Sequence, residues 1–236
     1  MNYYRFCIQP PYFYPKYTPR TLTTEMVKKR SGVCQIDLSP LTKMDGKPYI
    51  PGGDDGYHPA YSAFWVSLVL NSYRTKVHRS KELPSFIDTW ETEISFMDGC
   101  PVGPCFLDMV DELNKQYDSL TFSLLKCTSW KSVLSALAEG YTVMVGGSVY
   151  YSFQQAQYGG IVPMPNKNEG LLGGHIFNLV SYDTEKDLAT AIGNLGEDFG
   201  NGGIIPIRGA YLRNLNINRD FFILLVEKNG NSRSSI

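Results

Sequence analysis

The sequence predicts an α+β protein of two segregated lobes, and two observations carry that reading. Three helical apolar patterns lie before Gly140, and beyond it the pattern changes to short β-rich runs separated by turn residues. With 236 residues the chain can bury one sizeable core or two subdomains that share an interface. Hydrophobic residues at 43%, charged residues at 19% and a net charge of -1 are those of an ordinary globular protein, with no overall field for gripping phosphates. A dedicated nucleic-acid binder is therefore not expected. The local basic run of Arg74, Lys76, His78, Arg79 and Lys81 is interrupted by Glu82 and reads as a solvated helix end.

Residues 1–33 read as an extended arm. Tyr3, Tyr4, Phe6, Tyr12, Phe13, Tyr14 and Tyr17 are interleaved with Pro10, Pro11, Pro15 and Pro19. Prolines disfavour both helix and central strand, and so many aromatic rings need a surface to lie on. That surface is expected to belong to a protein partner or an assembly, with the chain's own body as the alternative. The N-terminus has no apolar run suited to a signal peptide, and nowhere do about 18 apolar residues occur consecutively. The expectation is a cytoplasmic or virion protein without membrane contact and without a long pro-region.

A domain is expected over residues 34–228, with a helical lobe at about 34–139 and a β-rich lobe at about 140–228, followed by a flexible polar tail at 229–236. The turn-rich segment from Gly46 to Gly56 precedes Pro59 to Leu70, which is apolar nearly all round and predicts a buried helix with proline in its first turn. A second helix is predicted from Pro104 to Gln116, because Phe106, Met109, Val110 and Leu113 share one face. A third, capped by Thr128 or Ser129, covers Trp130 to Ala138 and stops at Gly140. Strands are predicted at Tyr141 to Val145, Ser148 to Tyr151, His175 to Tyr182, Ala189 to Ile192, Ile204 to Ile207 and Phe221 to Val226.

Five cysteines, Cys7, Cys34, Cys100, Cys105 and Cys127, are an odd number without a CxxC pair. They read mostly as buried thiols of a reducing compartment.

The motif series lies in the strand-rich half. Gly159-Gly160-Ile161-Val162-Pro163-Met164-Pro165 precedes Gly173-Gly174-His175-Ile176, then Val180-Ser181-Tyr182-Asp183, Gly193-Asn194, Phe199-Gly200-Asn201-Gly202-Gly203 and Asp220-Phe221-Phe222. In this order and spacing the series resembles the second half of papain-like cysteine peptidases, especially the compact bacterial and viral type, and the resemblance covers roughly Gln35 to Val226. It implies a two-lobed fold in which a helical lobe with a long central helix is followed by an antiparallel, β-barrel-like lobe. It also places His175 at the catalytic histidine and Asn194 at the residue that orients its ring. A thiol nucleophile needs such a base within hydrogen-bond reach, and the base needs a third group to fix its orientation.

The resemblance is degenerate at three positions. Gln35-Ile36-Asp37-Leu38-Ser39 resembles the lead-in strand, and Gly56-Tyr57-His58-Pro59-Ala60 then falls where the family has Gly-Ser-Cys opening its central helix, so His58 replaces the nucleophile. Six residues upstream, where the family's oxyanion glutamine belongs, stands Gly52. Loss of such a side-chain donor costs on the order of 10² to 10³ in rate. After Asn194 the family carries a tryptophan that keeps water from the His–Asn bond, and here Leu195 and Gly196 follow, with Leu195 a partial substitute. The expectation is a pseudopeptidase with a binding or structural role, such as a phage or viral particle component, and without cofactor or metal.

Two active alternatives stand beside it. Ser62 lies one turn beyond His58, and Cys105 near a helix start, so either could be an unaligned nucleophile. His58 and His175 with Asp54 or Asp55 could hold zinc in a metal-assisted hydrolase, although a hydrogen-bonded or stacked histidine pair is the simpler reading. A helix N-terminus disfavours a protonated ring, so His58 is expected neutral.

Overall fold

The computed structural model describes residues 33–35, 59–77 and 106–229. Strand β1 (Val33–Gln35) is followed by helix α1 (Pro59–Arg74), helix α2 (Phe106–Gln116), strand β2 (Leu120–Lys126), helix α3 (Trp130–Ala138) and strand β3 (Val143–Tyr150). A 3₁₀ segment (Tyr151–Tyr158) then leads to strands β4 (Leu171–Asp183), β5 (Leu188–Ile192) and β6 (Ile204–Arg208), the short helix α4 (Gly209–Arg213) and strand β7 (Asn218–Lys228). Among the described residues no helix is long and apolar enough to cross a membrane.

Helix α1 begins at the predicted proline and is apolar almost all round because it is covered on most sides. Tyr61, Ala63, Phe64, Val66 and Leu68 are fully buried, and Leu70 nearly so. Its buried polar residues are each bonded: Asn71 accepts from the Thr142 amide at 2.9 Å and donates to the Leu224 carbonyl at 2.8 Å, and Ser72 donates to Val69 in the preceding turn. Asn71 thus joins α1 to β7 and to the residue leading into β3, at a depth where an unmade bond costs about 1–3 kcal/mol.

Helix α3 forms where its boundaries were legible. Ser129 accepts from the Ser132 amide, and the Ser132 hydroxyl accepts from the Ser129 amide, both at 3.1 Å, which satisfies two of the helix's orphan donors. At the other end Gly140 adopts φ +87 while its amide donates to Leu137 and that of Tyr141 to Ala136, closing the last turn in a Schellman motif.

The seven strands among the described residues form one antiparallel sheet in the order β2-β7-β3-β4-β5-β6, with β1 added to β4. The 13-residue β4 is its spine: β3 pairs with Leu171–Leu179, β1 with the adjoining Ser181–Asp183, and β5 takes the opposite edge. Helical and sheet lobes are both present, but the described strands form an open path and not the barrel-like closure expected. The two edges are occupied otherwise. Asn114 of α2 donates to the Phe122 carbonyl and accepts from its amide, at 2.9 and 2.8 Å, on the outer edge of β2, and Val162 bridges Ile207 on β6.

Two predicted details change. β2 is a strand within the lobe expected to be helical, between two predicted helices where no element was assigned, and is paired along its length with β7. β3 is one strand where two were expected, running through Gly146 and Gly147. These glycines do not break the strand. A Cβ on Gly147 would lie 2.2 Å from the Asn218 Oδ1, so the missing side chain makes room for a buried asparagine across the sheet.

Candidate functional site

The site grows from the start of β4. Gly173 and Gly174 lead into His175, whose cross-strand partner is Gly147, so neither the strand opposite nor the residue two positions earlier sets a side chain beside the imidazole. It is only 7% exposed. Its Nε2 lies 2.6 Å from the Gly193 carbonyl oxygen. A carbonyl can only accept, so Nε2 carries a proton, and in the neutral ring Nδ1 holds the lone pair. The acceptor is itself fixed, because the Gly193 amide donates to the Gly203 carbonyl at 2.8 Å.

Asn194 is beside the histidine in sequence order of the motif, but its carboxamide is committed elsewhere. It is fully buried at φ +55, a left-handed conformation that asparagine tolerates better than most residues. Its Nδ2 donates to the Ile176 carbonyl at 3.1 Å and to Asn178 Oδ1 at 2.9 Å, and its Oδ1 accepts from the Ser62 hydroxyl at 3.3 Å. Asn178 Nδ2 in turn donates to the Ala63 carbonyl at 3.1 Å and to Ser67 Oγ at 2.8 Å. This buried polar chain ties α1 to β4 and to the loop after β5. The contact expected between Asn194 and the His175 ring is replaced by the backbone carbonyl one residue earlier.

Aromatic rings surround the imidazole. Phe153 of the 3₁₀ segment meets it edge-on, with centroids 5.8 Å apart and planes at 64°, and Phe177 lies 6.3 Å away on the same strand. Phe199 stacks on Phe153 at 5.8 Å. Leu195, the residue expected to cover the site, is half-buried against the main core. Phe153 was missed in the sequence because the strand predicted at Ser148 to Tyr151 stops short of it and no element was assigned beyond; Gly159, at φ +79 and closing the 3₁₀ turn, is the local signal for one.

Of the candidate nucleophiles, Ser62 is fully buried within α1, with its hydroxyl bonded to Asn194. Cys127 is 3% exposed in the main core, and burial pushes its thiol up to about 12, with a smaller opposing effect from its bond to Ser132. Such a thiol is unreactive at neutral pH. Gly52, Asp54, Asp55, His58, Cys105 and the aromatic arm lie outside the described residues. Among the described residues no three His, Cys, Asp or Glu side chains gather as a metal-binding group.

No family model and no curated protein matches the sequence. Among solved structures the chain is similar to xylellain, a cysteine protease from Xylella fastidiosa, with a TM-score of 0.64 and 16% identity over 89% of this chain and 91% of that one. Shorter likenesses, at TM-scores of 0.37 and 0.34, are to procathepsin B S9 from Trypanosoma congolense and to the Carica candamarcensis cysteine protease CMS1MS2 in complex with E-64. They have 16% and 17% identity and span 45% and 44% of this chain, and 36% and 48% of those chains. With its long helix set against an antiparallel sheet and a buried histidine at the start of the central strand, the chain has the fold of the papain-like cysteine proteases.

Proposed function

We propose that this chain keeps a cysteine-protease scaffold without cysteine-protease catalysis and serves as a binding or assembly component, for instance of a phage or viral particle. The observation that carries the reading is His58, which stands immediately before the first residue of α1 where the resemblance requires the thiol. Gly52, in the place of the oxyanion glutamine, and the inward-bonded carboxamide of Asn194 support it. The aromatic arm, Tyr3 to Tyr17, is the proposed contact with a partner protein.

Restoring the thiol tests the reading. His58→Cys alone gives little peptide hydrolysis, and the double change with Gly52→Gln gives measurably more, because the second donor acts on the oxyanion. Turnover of the single variant at the level of an ordinary cysteine peptidase would mean that the cleft was never degraded.

One observation favours a second reading, an active hydrolase with a non-standard nucleophile. The bond to Gly193 leaves His175 in the tautomer whose Nδ1 can accept a proton. Under that reading His175→Ala abolishes a hydrolytic activity of the unaltered chain.

A further inference from the structure

We propose that Phe153 is a positioning residue for His175, holding the ring so that its Nε2–H reaches Gly193. Gly173 on its own strand and Gly147 on the strand opposite set no side chain against the ring, so on that side the contact from Phe153 bears on its rotation about χ2, which is broad for an imidazole. Phe153 approaches from outside the sheet, only 4% exposed, with its edge relation to the histidine.

The same phenylalanine is tied to the acceptor. It stacks on Phe199, whose carbonyl accepts from the Gly203 amide at 2.9 Å; the Gly203 carbonyl accepts from the Gly193 amide at 2.8 Å; and the Gly193 carbonyl takes the His175 proton. His175, Gly193, Gly203, Phe199 and Phe153 therefore form a closed circuit of contacts. A further bond, from the Gly200 amide to the Gln157 carbonyl at 3.0 Å, joins the loop to the 3₁₀ segment itself. Phe153 thus fixes donor and acceptor together and keeps water from their bond, which is stronger for being dry. The inference does not depend on whether the site is catalytic.

Nitrogen-15 spectra of the full chain test it, with the His175 signals assigned through His175→Gln. The unaltered protein shows the Nε2–H tautomer alone with a slowly exchanging ring proton. In Phe153→Ala both tautomers appear and the ring proton exchanges about tenfold faster, the upper range for losing an aromatic pair, while Phe153→Tyr restores the original signals. If the cavity left by alanine unfolds the chain, Phe199→Leu decides: it removes the stack on Phe153, keeps apolar volume and gives an intermediate exchange rate. Unchanged tautomer and exchange in Phe153→Ala or, where that variant does not fold, in Phe199→Leu, or an Nδ1–H ring in the unaltered protein, overturns the proposal.

Discussion

The imidazole of His175 donates from Nε2 to the backbone carbonyl of Gly193 at 2.6 Å, so the ring is oriented by a peptide group that no side-chain substitution can remove. The neighbouring Asn194 carboxamide instead holds α1, β4 and the loop after β5 together. Orientation of the His175 ring and cohesion of the lobes are therefore separable properties, carried by consecutive residues.

Replacing Asn194 is expected to alter stability and leave the His175 tautomer unchanged. Asn194→Gly removes the buried amide and costs about 1–3 kcal/mol. Asn194→Ala costs about 1 kcal/mol more, because the backbone sits at φ +55 and alanine resists that conformation. Urea unfolding of the two variants measures the difference, and the ring nitrogen spectrum checks the tautomer.

Asn71→Leu is expected to cost about 2–4 kcal/mol by urea unfolding. The apolar replacement leaves the Thr142 amide and the Leu224 carbonyl without the asparagine that bonds both. A loss below about 0.5 kcal/mol, the scale of an ordinary surface change, would show that water reaches these groups.

How much of this was legible follows from how far each determinant lies along the chain. Helix α3 was readable because Ser129 and Gly140 sit at its own ends. The single strand through Gly146 and Gly147 was not, because what demands a glycine at 147 is Asn218, 71 positions later (218 minus 147). β2 carried a local signal that was passed over, since Leu120, Phe122 and Leu124 alternate with Thr121 and Ser123, although its partner is the last strand of the chain. His175 was legible as a strand residue, since the strand predicted from His175 to Tyr182 lies within β4. The turning of Asn194 towards Ser62 was not, since it requires α1 packed against the sheet.

Acid should weaken the far end of β4. Arg213 binds Asp187 through two bonds, at 2.6 and 2.8 Å, and together with the Tyr182 hydroxyl holds the Asp187 carboxyl at about 2. The folded value is depressed below the ordinary aspartate value of about 3.9. The stabilisation is therefore fully present above about pH 5 and lost as pH falls from about 4 towards 2. Both side chains are well exposed, so Asp187→Asn is expected to cost at most about 1 kcal/mol at pH 7. Melting temperatures of the variant and the unaltered chain should converge near pH 2.

Cys127 should resist alkylation in the folded protein. With the thiol at about 12, its thiolate amounts to about one part in ten thousand at pH 8. Mass analysis after iodoacetamide treatment should find Cys127 unmodified until denaturant is added, and rapid native labelling would contradict its place in the core.

The central claim, that the scaffold lacks a working thiol at His175, is tested most directly with a thiol-directed epoxide and the unaltered full chain. Intact mass before and after incubation, alongside hydrolysis of a mixed peptide library, reads the result. The account predicts no covalent adduct on any of the five cysteines and no peptide cleavage that depends on a thiol. An adduct on a single cysteine that disappears in His175→Ala would contradict it, because that thiol would then be the nucleophile His175 activates.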